Sequence, residues 1–169
     1  MQEAVPVGKG SMLAILGAKI KDISDLLNSL KEKGVCEIAN DNADGQVIVS
    51  GDKDSIVSFQ SLLKEKKIKS IPLKVSAPFH CSLMKSAADK MSDKIKNTNF
   101  RSPTHSILSN VTAKIEKNPE NIKKLLIDQI FSTVKWRETI INISNEGVSN
   151  FVEIGPGKVL TGMVKRTCL

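Results

Sequence analysis

The sequence predicts an α/β protein that opens with a small α+β unit and continues as a second layer of alternating strands and helices. Three observations predict it. Short β-prone apolar runs alternate with stretches in which apolar residues recur every three or four positions. Clusters of Gly, Pro, Asn and Asp separate them. With 169 residues, 40% of them hydrophobic and 25% charged, the chain can bury about two thirds of the surface its unfolded form exposes, enough for a core without disulfide or metal.

Residues 11–17 form an apolar run suited to a buried strand, and residues 22–33 place Ile23, Leu26, Leu27 and Leu30 at helical spacing, with Gly34 as the stop. Residues 36–39 and 46–50 are β-prone runs separated by Asn40-Asp41-Asn42-Ala43-Asp44-Gly45, which predicts a hairpin or tight connection. A second helix starts near Asp52 or Asp54, carries Ile56, Phe59, Leu62 and Leu63 on one face, and runs out in a lysine cluster; residues 70–76 close the set as a strand. The order βαββαβ over residues 11–76 is the ferredoxin-like arrangement, two helices covering one face of a four-stranded sheet.

After the loop Ala77-Pro78-Phe79-His80, a helix from about Ser82 carries Leu83, Met84, Ala87, Ala88, Met91 and Ile95 inward. Residues 106–111 read as a strand. Asn118 and Pro119 read as N-cap and first residue of a helix burying Ile122, Leu125, Leu126 and Gln129 or Ile130. Residues 136–146 form a helix stopped by Gly147, residues 151–154 a strand running into Gly155-Pro156-Gly157, and residues 158–165 a terminal helix. Such alternation suits the edge of an α/β sheet. The expected division is residues 1–10 as a leading segment and linker, 11–76 as the small unit and 77–169 as the remainder.

Composition narrows the function. The net charge of +7 comes almost entirely from scattered lysines, with one cluster at residues 64–69, and so fits a solvated coat or an acidic protein partner. Aromatic content of 4% without tyrosine offers few stacking platforms, which argues against nucleic acid. Three cysteines without C-x-x-C spacing and two histidines make neither a disulfide framework nor a zinc site, so no metal is expected. The longest unbroken apolar run, residues 12–16, cannot span a bilayer, and Glu3 and Pro6 do not suit a signal peptide; a cytoplasmic protein without membrane association is expected.

A serine nucleophile in an α/β protein sits on a G-x-S-x-G elbow, and the sequence contains none. Ser11 and Ser50 each adjoin a glycine but lack the flanking pattern. His80, on a loop between Pro78 and a helix, is the best candidate base, against the plainer reading of a loop histidine without a task. Sequence neighbours point to opposite sides of a strand or lie about a third of a turn apart on a helix, so His80 and Cys81 make a poor dyad, and Cys81 reads as packing. Gly155-Pro156-Gly157-Lys158 offers two readings, an anion cradle at a helix start or a strand-to-helix turn that needs glycine dihedrals; the missing P-loop spacing favours the turn.

Four blocks in order carry a family resemblance: Met1-Gln2-Glu3-Ala4-Val5-Pro6 with Gly8, Gly10 and Met12; Asn40-x-Asn42 with Gln46-Val47-Ile48-Val49-Ser50-Gly51; Pro78-Phe79-His80-Cys81-Ser82-Leu83-Met84; and Glu153-Ile154-Gly155-Pro156-Gly157-Lys158-Val159-Leu160. Together they resemble the malonyl-CoA:acyl carrier protein transacylases along the whole chain. The resemblance implies a ferredoxin-like subdomain followed by the C-terminal part of an α/β-hydrolase-like acyltransferase subdomain. It implies an acyltransferase of fatty acid synthesis, moving malonyl from malonyl-CoA to the acyl carrier protein thiol by a Ser-His ping-pong route without a cofactor.

By the same resemblance His80 is the general base and the backbone carbonyl of Gln129 orients its imidazole. Phe79 aligns with a residue associated with malonyl over bulkier groups. Asn40 and Asn42 match a loop facing the cleft, with turn chemistry an equal alternative. The family's Gly-His-Ser-Leu-Gly elbow, its Gly-Gln-Gly oxyanion segment and its malonyl-binding arginine have no counterpart, and Met1 aligns with an internal family methionine. The expectation is therefore a truncated fragment, inactive alone, with a separately encoded N-terminal half as a partner beside acyl carrier protein. Its α/β half is expected to expose apolar surface. The competing expectation is a non-enzymatic ferredoxin-like binding module for an acidic protein or small ligand, which leaves the family order of the blocks unexplained.

Overall fold

Apolar alternation along two strands builds the first core. The computed structural model describes residues 5–30 and 34–168. β1 (Gly10–Leu16) turns Leu13 and Ile15 to one face, and β3 (Gln46–Asp52) turns Val47 and Val49 to the same face, with the strands antiparallel from Gly10↔Asp52 to Leu16↔Gln46. α1 (Ile20–Asn28) and α2 (Lys53–Glu65) lay Ile23, Ile56, Phe59 and Leu63 on that face. Full burial of a side chain such as Phe59 or Leu63 stabilises the fold by about 2 kcal/mol each. β2 (Cys36–Ala43) joins β3 and β4 (Lys69–Pro72) joins β1, giving a sheet of order β2-β3-β1-β4 with all neighbours antiparallel. The expected element order over residues 11–76 is thus present.

Three boundaries differ from expectation. Residues 40–43 continue β2 instead of forming a loop, and only Asp44 and Gly45 make the turn, with Gly45 at φ 69°. The reason lies outside the sheet: the Val134 N–H donates to the Ala39 carbonyl (2.8 Å) and the Asp41 N–H to the Val134 carbonyl (2.9 Å), so β2 is paired on both edges and stays extended despite its turn-forming composition. β4 stops at Pro72, opposite Leu13, short of the expected residue 76, and the Leu73 N–H adds one last bond to the Met12 carbonyl (3.0 Å). α1 ends at Asn28; the expected continuation through 31–33 lies outside the described residues.

The second half opens with a 3₁₀ turn, Ser82–Met84, and α3 (Lys85–Asn97). β5 (Ile107–Leu108) and β6 (Ile115–Glu116) make a two-stranded ladder, shorter than the strand expected over 106–111. α4 (Pro119–Asp128) starts as the sequence predicts, the Asn118 side-chain oxygen accepting from the Glu120 and Asn121 N–H groups. α5 (Trp136–Asn145) ends in a Schellman closure, with Gly147 at φ 91° and the Val148 N–H donating to the Ile143 carbonyl. α6 (Val159–Cys168) completes the described chain. A second core gathers Val5, Ala77, Met84, Ala87, Ala88 and Ile130.

The strand expected at 151–154 is a correction: these residues are irregular, with Val152 84% and Ile154 94% exposed. β-prone side chains make a strand only against a neighbouring strand, and none pairs with this segment among the described residues. No helix among the described residues is long and apolar enough to cross a membrane.

Candidate functional site

The loop bearing His80 is braced by its own short-range bonds. The Phe79 N–H donates to the Ala77 carbonyl (3.1 Å), the Cys81 thiol to the Pro78 carbonyl (3.2 Å) and the Met84 N–H to the Cys81 carbonyl (3.0 Å). Pro78 is buried over Gly10, where a Cβ would collide with the proline ring. Between these braces His80 adopts φ 60°, a left-handed conformation that costs a side-chain-bearing residue free energy and persists only where its surroundings enforce it.

The half-buried imidazole faces one polar partner. His80 Nδ1 lies 2.8 Å from the Gln129 carbonyl oxygen. A carbonyl can only accept, so Nδ1 carries the hydrogen and Nε2 of the neutral ring keeps its lone pair free for a proton. Gln129 is the C-cap of α4, and its carbonyl is among those a helix end leaves without an intrahelical donor. The arrangement fixes the tautomer with a dipole and no formal charge.

The other expected residues sit apart from this pair. Phe79 is partly buried against the second core. Asn40 and Asn42 lie in β2, Asn42 buried, and neither shares a hydrogen bond with His80 among the described residues. Cys81 is fully buried, as a packing residue should be. Burial pushes its thiol up, with the Ser50 hydroxyl and Leu83 N–H offsetting this in part, so the thiolate a nucleophile requires is disfavoured.

Gly155 (φ 144°) and Gly157 (φ 89°) make the tight turn into α6, in backbone regions that favour glycine. An anion does occupy the start of α6, and it is the chain's own. The Glu153 carboxylate accepts from the Leu160 N–H (3.1 Å), the Thr161 N–H (2.8 Å) and the Thr161 hydroxyl (2.6 Å). The Thr161 hydroxyl first, then its N–H, hold this carboxyl below its usual range. The anion-cradle reading of 155–158 therefore gives way to the turn.

Sequence reasoning missed a set of polar ties between β2 and the second half of the chain. The Arg137 guanidinium grips Asp41 through Nε at 2.9 and 3.0 Å and Nη2 at 2.8 Å, and the hydrogen bonds to Asp41 raise its already high pKa. Glu37 accepts from the Ser82 N–H (2.8 Å) and hydroxyl (2.6 Å). Their residues stand far apart in the sequence, and no periodicity marks them.

A family model described as "Acyl transferase domain" matches residues 7–169. The malonyl CoA-acyl carrier protein transacylase of Bacillus subtilis (strain 168) is 40% identical over 168 residues, 98% of this chain and 53% of that protein. Among solved structures, an acyl carrier protein S-malonyltransferase from Vibrio cholerae is 39% identical with a TM-score of 0.96, covering 99% of this chain and 55% of that one. A malonyl-transacylase solved in complex with a type II polyketide synthase acyl carrier protein is 38% identical, TM-score 0.95, covering 99% and 54%. The chain thus spans about half the length of the relatives it matches. The mixed α/β architecture is that of these acyltransferases, and with the family model matched from residue 7 to the last residue, the chain belongs to the acyl transferase domain family.

Proposed function

We propose that the chain supplies the proton-transfer part of a malonyl-CoA:acyl carrier protein transacylase. The observation that carries this reading is the 2.8 Å approach of His80 Nδ1 to the Gln129 carbonyl, which leaves Nε2 as an oriented base. A serine hydroxyl from a Gly-His-Ser-Leu-Gly elbow, which this sequence does not contain, attacks the malonyl thioester carbonyl as Nε2 takes its proton. The tetrahedral adduct expels coenzyme A, whose sulfur receives that proton and leaves malonyl on the serine. The acyl carrier protein thiol then gives its proton to Nε2, attacks the ester and departs with malonyl as the serine oxygen is reprotonated. Every proton returns through one nitrogen, and no cofactor is needed.

Phe79 shapes the acyl site and Asn40 and Asn42 line the small-unit side of the cleft in this reading. The βαββαβ order and the β2-β3-β1-β4 sheet support a ferredoxin-like subdomain over 11–76, with 77–169 as the C-terminal part of the large subdomain. The substrates suit a cytoplasmic enzyme. An elbow-bearing segment, on the same polypeptide or another, completes the site.

The test is transfer of radiolabelled malonyl from malonyl-CoA to holo acyl carrier protein. The chain alone should transfer none, because it holds a base without its nucleophile. Adding the elbow-bearing half of a relative should restore transfer, and His80→Ala should lower the restored rate by about a thousandfold. Restored transfer indifferent to His80→Ala would refute the reading.

A further inference from the structure

His80 and the carbonyl it faces come from loops far apart in the chain, yet both loops are tied to one strand. On the histidine side, Glu37 in β2 accepts from the N–H and hydroxyl of Ser82, two residues past His80, at 2.8 and 2.6 Å. On the carbonyl side, the link from α4 to α5 is fastened to the next residues of β2. The Thr133 hydroxyl donates to the Ile38 carbonyl (2.6 Å), Val134 exchanges backbone bonds with Ala39 and Asp41, and Arg137 grips the Asp41 carboxylate. Across the sheet Glu37 pairs with Ser50 and Asp41 with Val47, so three residues of β3, about 10 Å of extended strand, set their separation, and a register shift between Ile38 and Asn40 takes up the extra residue of β2.

From this we infer that Glu37 and Asp41 are positioning residues: β2 acts as a ruler that sets the distance between His80 and the Gln129 carbonyl, and so selects the Nδ1–H tautomer. The physical argument is one of rigidity. The bond is a single neutral hydrogen bond, whose small net gain is of the same order as the cost of the left-handed conformation that holds the ring. Alone it is too weak to fix both loops. The Asp41–Arg137 pair is different in kind, with Asp41 buried and bound through both carboxylate oxygens, and Glu37 holds Ser82 through two charge-assisted bonds. Two register shifts, at Ile38/Asn40 and Asp41/Ala43, bracket Asp41 and re-aim this stretch of β2 where it meets the second half. This inference takes its catalytic meaning from the proposed transacylase reading, but its geometry stands on the chain alone.

The experiment is long-range proton–nitrogen NMR on the full chain labelled at its two histidines, with His105→Ala assigning the signals. In the native chain, neutral His80 should show Nδ1 protonated and Nε2 bare. Glu37→Ala and Asp41→Asn should each lower the Nδ1–H fraction by about half, toward the Nε2–H form an unrestrained histidine prefers, while the cooperative melt by circular dichroism persists. Unchanged tautomer in folded variants overturns the inference. Should Asp41→Asn fail to fold, Glu37→Ala decides, because its contact with Ser82 is at the exposed rim. A tautomer that moves as expected in a chain that gives no transfer with its complementing half would sink the transacylase reading and leave the ruler standing.

Discussion

His80 combines a left-handed backbone with a carbonyl-held imidazole, and the two features explain each other: the φ of 60° is kept because Pro78 and Cys81 are buried on either side of it. The sequence placed a base candidate on this loop from the residue type and its setting, but its partner came only through family resemblance, because a backbone carbonyl leaves no mark in side-chain identity. The cysteines illustrate the opposite case, where side-chain chemistry is decided by environment. Cys81 is fully buried with a raised thiol pKa, whereas Cys168 is exposed. A colorimetric thiol assay at pH 8 should find Cys168 reacting at once and Cys81 slower by about a hundredfold or more, catching up only on unfolding. Equal rates in the folded chain would contradict the burial described.

Helix ends were the most legible elements, for a local reason. Asn118-Pro119 and Gly147 act through bonds spanning a few residues, so their chemistry is complete within the sequence window. Strands were less legible because their partners are distant: β2 extends through a turn-rich stretch because Val134 pairs with it, and residues 151–154 stay irregular with no strand beside them among the described residues. Glu153 belongs to the same lesson, since its bonds to Leu160 and Thr161 form only once the Gly-Pro-Gly turn folds the chain back. With its carboxyl held below the usual range, Glu153 favours the docked start of α6 above the ordinary carboxylate pKa, and that support is lost as pH falls through the lowered value. Amide protection at Leu160 and Thr161 should therefore weaken as the pH falls below the ordinary glutamate range. Glu153→Gln should weaken it at neutral pH and flatten the acid limb; protection independent of both would show that the cap contributes nothing.

On the scale of the whole molecule, burial is uneven. The first core is continuous, with large side chains at its centre, while the second depends on Ala77, Ala87 and Ala88 around Met84. Beyond it Phe151, Val152, Ile154, Val159 and Leu160 form an exposed apolar run beside a cavity of about 330 Å³ lined in part by Trp136, Ile140 and Val164. Apolar surface of this kind drives association. Sedimentation should show concentration-dependent self-association of the chain, and Val152→Lys with Ile154→Lys should suppress it without lowering the melting temperature by more than about 2 °C, since neither side chain is packed. A monomer at all concentrations would refute this.

The contact between Gly10 and Pro78 reaches further than packing. The first residue of β1 lies under the loop that bears His80, with no room for a methyl group, so the two positions are free to vary only in concert. A side chain at position 10 would tilt Pro78 and with it the imidazole, and the lesion would present as a faulty base although the altered residue touches neither the histidine nor its carbonyl. Tolerance to change at the strand's first residue is thus governed by the chemistry of the loop above it.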